Sequence, residues 1–484
     1  MSRPRLSIEE IGLFERDVAL RLPFRFGVTT VTHATQAVAR VRVRLEDGSE
    51  AWGVAAESLA AKWFDKNLAL SDEDNLAQLR QSLAIAGRLR REHGPATAFG
   101  LFADTYAAQM KEAAALGLNP LVAGYGPALL DRAVLDGLGR ALGTSFAAMI
   151  RANLPGIEAG PLTPDLAGFD MDGFLAGLSM APSIAVRHTV GLVDPLTAAD
   201  RPERCDDGLP ETLEEVARAY GCRHYKLKVS GQIEEDLERL AAIAAVLDRE
   251  VPGYAATLDG NEQYRDVEAV VELWRRMTET PALERLVAAI LFIEQPIARS
   301  VALERSVEPL ARHRPVILDE SDGTIDAFVQ GKALGYEGIS SKTCKGFFKS
   351  FMNAARCTRW NKETGRKRFF MSAEDLTTLA GVSVQQDLAL VATLGLGHVE
   401  RNGHHFIDGM SFAPEAEQQA FLEAHQGLYA RSNGTVRLRI DAGRLDLRSL
   451  DCPGFATAAL PDFASMRPMP PAPEGPILPA EARP

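Results

Sequence analysis

The chain has 484 residues, 46% of them hydrophobic and 24% charged, with a formal net charge of -12. That length exceeds one small domain, so two or three are expected. The acidic balance, with no basic run interleaved with aromatics, argues against a nucleic-acid surface, and no run of about 18 apolar residues is present to span a membrane. The opening residues, Met1-Ser2-Arg3-Pro4-Arg5-Leu6, lack the apolar core of a signal peptide. The cysteines at 205, 222, 344, 357 and 452 form no C-x-x-C pair. Free thiols in a reducing, cytoplasmic compartment are the expectation.

Residues 7 to 58 read as strands. Val38 to Leu45 alternates apolar and charged residues, Glu46-Asp47-Gly48-Ser49 is a turn, and Ala51 to Val54 is the returning strand. Upstream, Pro23 to Thr30 reads as a loop by its proline and glycine, yet it carries Phe24 and Phe26. Such a loop either packs on its own domain or closes as a lid over an active site, bringing Arg25 or a phenylalanine near the substrate. From Asp72 to Ile150 the pattern is helical. In Pro127 to Gly143 the apolar residues fall at helical spacing, the small residues permit close packing, and Gly143 suits a C-terminal stop. Residues 151 to 182 have no clear period and read as a crossing segment.

From residue 183 the rhythm changes to strand, helix, strand. Ser183 to Val193 is the first strand expected. Five short apolar runs follow, and the charged residues at their ends are Lys228, Asp259, Glu294, Asp319 and Lys342. Successive positions differ by 31, 35, 25 and 23 residues, about one β/α unit each. Segments with helical periodicity, such as Glu234 to Leu247, lie between them. A seventh strand is expected at Arg368 to Ser372, followed by Ala373-Glu374-Asp375, and an eighth around Gly397 to Gly403. Alternation of this kind reads as β/α units around a parallel sheet, and in a closed barrel of such units the C-terminal strand ends converge on one mouth. After about Met410 the rhythm stops. Val436 to Ile440 and Leu445 to Leu447 look like a small hairpin, and the proline-rich tail from Pro468 to Pro484 reads as loosely ordered.

The strand ends carry the chemistry. Lys226 and Lys228 are two apart on a strand and share a face. Inside a barrel, like charge and burial would both disfavour the ammonium form and make a base usable near neutral pH. A lone Lys-x-Lys is more commonly an exposed edge. Asp259, Glu294 and Asp319 each end a strand, and three carboxylates from three strands suit an octahedral Mg²⁺. Asn261 can support them from the same face. Glu320 is the alternative to Asp319, because neighbours on a strand point oppositely and sequence does not fix the phase.

The chain resembles the enolase superfamily, of the mandelate racemase and muconate lactonizing enzyme type. The resemblance rests on Lys226-Leu227-Lys228, Leu258-Asp259-Gly260-Asn261, Ile293-Glu294-Gln295-Pro296, Leu318-Asp319-Glu320-Ser321 and Lys342. The helix at Asp131 to Gly143 resembles the N-terminal signature. The resemblance implies an α+β capping domain over residues 1–155, a modified (β/α)7β barrel over 183–410, and a segment 411–484 that returns to the cap. It implies Mg²⁺ and abstraction of a proton α to a carboxylate on a small substrate, which agrees with the reading of the strand ends. It also leans to a homo-oligomer. Relatives of the racemase kind carry a histidine on strand seven, where this chain has Glu374-Asp375. The lysine at 342 resembles the two-lysine muconate lactonizing subgroup, whose reactions include cycloisomerisation, epimerisation and syn-elimination.

The expected roles follow. Lys228 and Lys342 are acid/base groups on opposite faces of the substrate, and Lys226 tunes Lys228. Lys345 is the rival to Lys342, because Ser340 to Gly346 departs from the usual strand-six sequence. Glu400 either reaches the substrate or pairs with Arg401. His404 and His405 either contact substrate or serve packing or capping, and packing is the simpler expectation. Two other functions fit part of the pattern: a Schiff-base aldolase barrel with Lys228 or Lys342 as nucleophile, and a barrel that binds ligand without turnover. Intact paired lysines argue against the last.

Overall fold

A computed structural model describes residues 3–26, 29–201 and 203–479, without the side chains of Phe26 and Thr29. Its first element is a long antiparallel hairpin, β1 (Leu6–Phe26) and β2 (Thr29–Leu45), paired from Leu6↔Leu45 to Phe26↔Thr29. The segment expected to be a loop at 23–30 is therefore strand as far as it is described; Gly27 and Val28 lie outside the described residues. Pro23, which has no N–H for the ladder, sits where the register shifts between Ala19 and Phe24, so the pairing absorbs it. β3 (Glu50–Ser58) follows the Asp47-Gly48 turn, with Gly48 at φ +87°. Helices α1 (Asp72–His93), α2 (Ala98–Ala115) and α3 (Pro120–Ala141) come next; α1 and α3 pack on this sheet, and α2 packs against those two. α3 starts on Asn119, whose side chain accepts from the N–H groups of Leu121 and Val122, with proline in the first turn. It lies backbone to backbone on β3. A Cβ on Gly53 would stand 2.0 Å from the Ala133 carbonyl oxygen, so only glycine permits that approach.

Eight parallel strands then close a barrel: β4 (Ser183–Val190), β5 (His224–Lys228), β6 (Ala255–Asp259), β7 (Ile290–Glu294), β8 (Val316–Leu318), β9 (Gly338–Ser341), β10 (Phe370–Ala373) and β11 (His398–Arg401). β11 pairs back onto β4, which closes the ring. The register sets Lys228 beside Asp259 and Asp259 beside Glu294. The acids that follow these strands thus share one rim.

The C-terminal segment differs from expectation. β12 (Tyr429–Ser432) pairs with β13 (Thr435–Leu438), while β14 (Arg444–Asp446) adds antiparallel to β4 at the barrel's edge. The hairpin turn is Asn433-Gly434, at φ +48° and +81°, the left-handed pair a two-residue hairpin favours. The tail is also held. β15 (Arg467–Pro468) pairs with β1, Met469 N–H donates to Leu13 O, and Gln81 donates to the carbonyls of Pro473 and Gly475. Among the described residues the five cysteines are free, and no helix is long and apolar enough to cross a membrane.

Candidate active site

The barrel mouth and the N-terminal sheet enclose a cavity of about 580 Å³. Its floor includes Lys228, Asn261, Lys342, Glu400 and Asn402 from the barrel. Its roof comes from the far half of the β1–β2 hairpin and the segment after β3, including Phe24, Leu59 and Trp63. Phe24 lines the cavity and packs on Phe406 at 4.4 Å between ring centroids. Arg25 is exposed and is not part of the wall.

Below this floor lies a buried charge network. Lys226 is ringed by carboxylates: Asp259 at 2.9 Å, Glu294 at 2.8 Å, Glu374 at 2.9 Å and Glu400 at 3.0 Å. Burial lowers its basicity, but these four acids outweigh that and hold the ammonium well above the ordinary lysine value. The expectation that like charge makes this lysine a base is therefore overturned at Lys226: its neighbours are carboxylates, and Lys228 shares one of them. Lys228 Nζ is 2.6 Å from the same Asp259 oxygen. Lys342 is raised likewise, because Asp319 at 2.6 Å outweighs its burial.

One ammonium does not neutralise four carboxylates, and Glu294 carries the excess. Burial, then Asp259 and Glu374, push its carboxyl well above the usual range. Asp259 and Asp319 are penalised by burial too, but the lysines facing them hold both below the ordinary value. Glu400 is held well down by Lys226, Lys228, Lys342 and Arg187 despite complete burial. It also accepts from Thr189 Oγ1 at 2.6 Å and from the Asp375 N–H at 2.8 Å. Its neighbour Arg401 pairs instead with Asp375 and Asp387. Glu374 bridges Lys226 and Arg187 below the cavity.

The two residues whose choice was open now differ in place. Asp319 meets Lys342, Lys345 and Ser340. Glu320 accepts from Asn261 Nδ2 at 3.0 Å and lies 3.7 Å from Lys66. Asp319 thus belongs to the lysine cluster. Lys345 donates to Ser340 Oγ at 2.5 Å and pairs with Asp322 at 3.1 Å, and it does not line the cavity. His404 and His405 pack against His188, at 5.3 and 5.1 Å between ring centroids, as packing residues.

Two contributors escaped the sequence reading. The Trp63 indole covers the Lys342 ammonium, 4.3 Å from the ring centroid. Its only signal is an aromatic pair, Trp63-Phe64, soon after a strand. Gln295, fully buried at φ +31°, accepts at Oε1 from the backbone N–H groups of Asp319 and Ser321. It fixes the loop that presents Asp319. A non-glycine residue held at positive φ beside an active-site candidate stores strain that packing must sustain, and Asn261 (φ +40°) and Glu262 (φ +70°) share the feature.

Among the described residues no three His, Cys, Asp or Glu side chains are gathered as a formed metal site. Ammonium groups stand between the carboxylates instead. The donor chemistry nevertheless fits a hard divalent cation. Asp259, Glu294 and Asp319 are all 0% exposed at adjacent strand ends and offer three carboxylates, the hard oxygen donors such a cation takes, with the Lys226 ammonium 2.8 Å from Glu294 Oε2.

Residues 208–345 match a family model described as Enolase C-terminal domain-like. The fold is that of the enolase superfamily. Similar solved structures include 2-chloromuconate cycloisomerase from Rhodococcus opacus 1CP, at 18% identity and TM-score 0.58 over 95% of this chain and 98% of that one. A muconate lactonizing enzyme from Pseudomonas fluorescens complexed with muconolactone is similar at 16% identity and TM-score 0.57, over 95% and 98%. An enolase from Bradyrhizobium complexed with magnesium and mandelic acid is similar at 15% identity and TM-score 0.58, over 95% and 97%. No curated protein sequence matches. The enolase-superfamily fold accounts for the barrel and the covering sheet.

Proposed function

We propose that the protein is a Mg²⁺-dependent enzyme that removes a proton α to a carboxylate and completes an isomerisation or an elimination. The observation that carries this is the opening of two lysines from different strands, Lys228 and Lys342, into one cavity, above the carboxylates of the strands between them. Asp259, Glu294 and Asp319 would hold the cation. When bound, it supplies positive charge that stabilises a substrate carboxylate as the α-proton leaves.

The chain's own residues do the rest. Lys228 and Lys342 hold and move the proton at their Nζ atoms. Lys226 anchors the acids and spaces them. Trp63 and the hairpin roof exclude water, which strengthens every charge interaction beneath them. Asp259 and Asp319 each hold one of the Lys228 and Lys342 ammonium groups at 2.6 Å and would also hold the cation, so the same two carboxylates position both lysines beside the metal site. The two-lysine arrangement supports the muconate lactonizing kind of chemistry over the histidine kind, since Glu374 and Asp375 end strand seven. A Schiff-base role is not favoured, because each candidate nucleophile is tied to a carboxylate at 2.6 Å.

The test is exchange of α-protons in D₂O, followed by NMR, across a panel of small carboxylates. Exchange that requires Mg²⁺ and stops with EDTA is the expected result. Borohydride trapping of a carbonyl substrate on a lysine, indifferent to EDTA, would refute the proposal.

A further inference from the structure

The cavity's wall says which carboxylates it takes, given the reading of the site above. The apolar lining of the cavity includes Leu20, Phe24, Leu59, Trp63, Leu376 and Ile407. Its volume, about 580 Å³, lies in the range of about 300–1,000 Å³ that buries a sizeable organic ligand. An acid of two or three carbons would leave most of that apolar surface against water.

Polar demand is concentrated at the floor. The side-chain oxygens Oδ1 of Asn261 and Asn402 are buried there without a hydrogen-bond partner, while the Nδ2 of each donates to a glutamate. Among the described residues no arginine lines the cavity. The lysine outside the floor, Lys62, donates to the Leu70 carbonyl at 2.6 Å and is spent on it. The remaining carboxylates of the outer wall, Asp17 and Asp72, already face cations, Arg467 at 2.6 Å from Asp17 and Lys62 at 3.8 Å from Asp72. Among the described residues a second carboxylate on the ligand would meet no unpaired cation in the wall. Hydroxyls also line the wall, but Thr32 Oγ1 already pairs with His33 Nδ1 at 3.1 Å and Thr35 Oγ1 donates to Asp17 at 3.3 Å, so a polyhydroxylated body would trade its water for Thr30, Ser58 and Thr377 and for the apolar side chains above.

We infer that the substrate is a monocarboxylic acid with an extended apolar body, alkyl or aryl, bound carboxylate-down on the barrel floor with that body under the hairpin roof. Sugar acids and dicarboxylates are discriminated against by the wall itself.

The experiment is calorimetric titration of the full chain with Mg²⁺ present, using phenylacetate, 3-phenylpropanoate and 4-phenylbutanoate against adipate and gluconate. α-Proton exchange is followed on the same acids. Binding should tighten about fourfold with each added methylene, and 4-phenylbutanoate should bind at least tenfold tighter than adipate or gluconate. Leu376→Arg places a cation in the wall and should improve adipate while weakening 4-phenylbutanoate; Leu20→Arg makes the same test if the first variant does not fold. Tightest binding by adipate or gluconate, with exchange intact, overturns the substrate class and leaves the site reading standing. Failure of every acid both to bind and to exchange overturns the site reading, and the substrate class with it.

Discussion

The indole of Trp63, from the segment after β3, lies over the ammonium of Lys342, at the end of β9, with 4.3 Å between nitrogen and ring centroid. A residue of the N-terminal domain thereby sets the environment of a barrel lysine. Cation–π contacts of desolvated lysines are worth about 0.5–2 kcal/mol. Trp63→Leu keeps an apolar side chain of the roof but removes the π face. We expect kcat/KM to fall by about threefold to thirtyfold, and Trp63→Phe to recover most of it. Steady-state kinetics on any acid that exchanges its α-proton checks this. Equal activity in the leucine and tryptophan forms would show the contact to be packing alone.

The metal ligands are tested by binding rather than turnover. Asp259→Asn or Glu294→Gln removes one charged oxygen donor from a set of three and should abolish Mg²⁺ binding by calorimetry. Each variant should keep the far-ultraviolet circular dichroism of the parent, because the barrel strands do not depend on these side chains for pairing. Glu320→Gln should bind Mg²⁺ nearly as the parent does, since Glu320 turns to Asn261 and Lys66. Loss of binding in Glu320→Gln with retention in Asp319→Asn would exchange the two assignments.

These contrasts also show what local sequence carries. Each β/α unit combines a short apolar strand, a charged end and an amphipathic helix, so the parallel strands and the ends at Lys228, Asp259 and Glu294 are legible in the spacing, whereas Asp319 against Glu320 and Lys342 against Lys345 need the three-dimensional phase. The roof is not legible there, because its placement rests on long-range pairing. β1 runs through Pro23, which in isolation signals a break, and a register shift accommodates it. Trp63 gains its meaning from Lys342, 279 residues further along. The lysine environment was misread for the same reason. Spacing showed Lys226 and Lys228 on one face, but the acids that surround Lys226 come from four other strands. Asn433-Gly434 carries a hairpin signal of its own and joins β12 to β13, whereas the apolar runs alone point to Val436–Ile440 with Leu445–Leu447.

Stability should carry a pH signature remote from the site. Burial pushes the Asp131 carboxyl on α3 up to about 6, although Arg90 donates two hydrogen bonds to it, at 2.9 and 2.7 Å, and Arg132 is a further positive neighbour. The folded state then holds this proton more tightly than the unfolded chain. Stability therefore falls as pH rises from the unfolded value, near 4, through 6, by about 2–3 kcal/mol from this group. Asp131→Asn cannot titrate and should flatten that part of the profile, whatever it does to absolute stability. Urea unfolding at pH 4, 5, 6 and 7 measures the slope. A parent and variant with parallel profiles would show that Asp131 binds its proton equally in the folded and unfolded states.

The sharpest prediction concerns which lysine takes which proton. Lys228 ends the second barrel strand and Lys342 follows the sixth, so in a ring of eight they stand roughly across the mouth from one another. Both line the cavity, whereas Lys345 is tied to Ser340 and Asp322 outside it. An α-carbon held between Lys228 and Lys342 exposes one face to each. In D₂O, exchange from one face should vanish in Lys228→Ala and exchange from the opposite face in Lys342→Ala. Removal of a positioned acid/base group costs about 10²–10⁴ in rate, so each loss stands well above experimental scatter. Lys345→Ala should retain exchange from both faces and show its effect in stability, because it leaves Asp322 with Lys349 as its remaining ammonium partner. Full activity in Lys342→Ala together with loss in Lys345→Ala would move the second base to Lys345. Exchange from a single face, abolished by Lys228→Ala and untouched by either of the other two, would make this a one-base enzyme that eliminates from the Lys228 side.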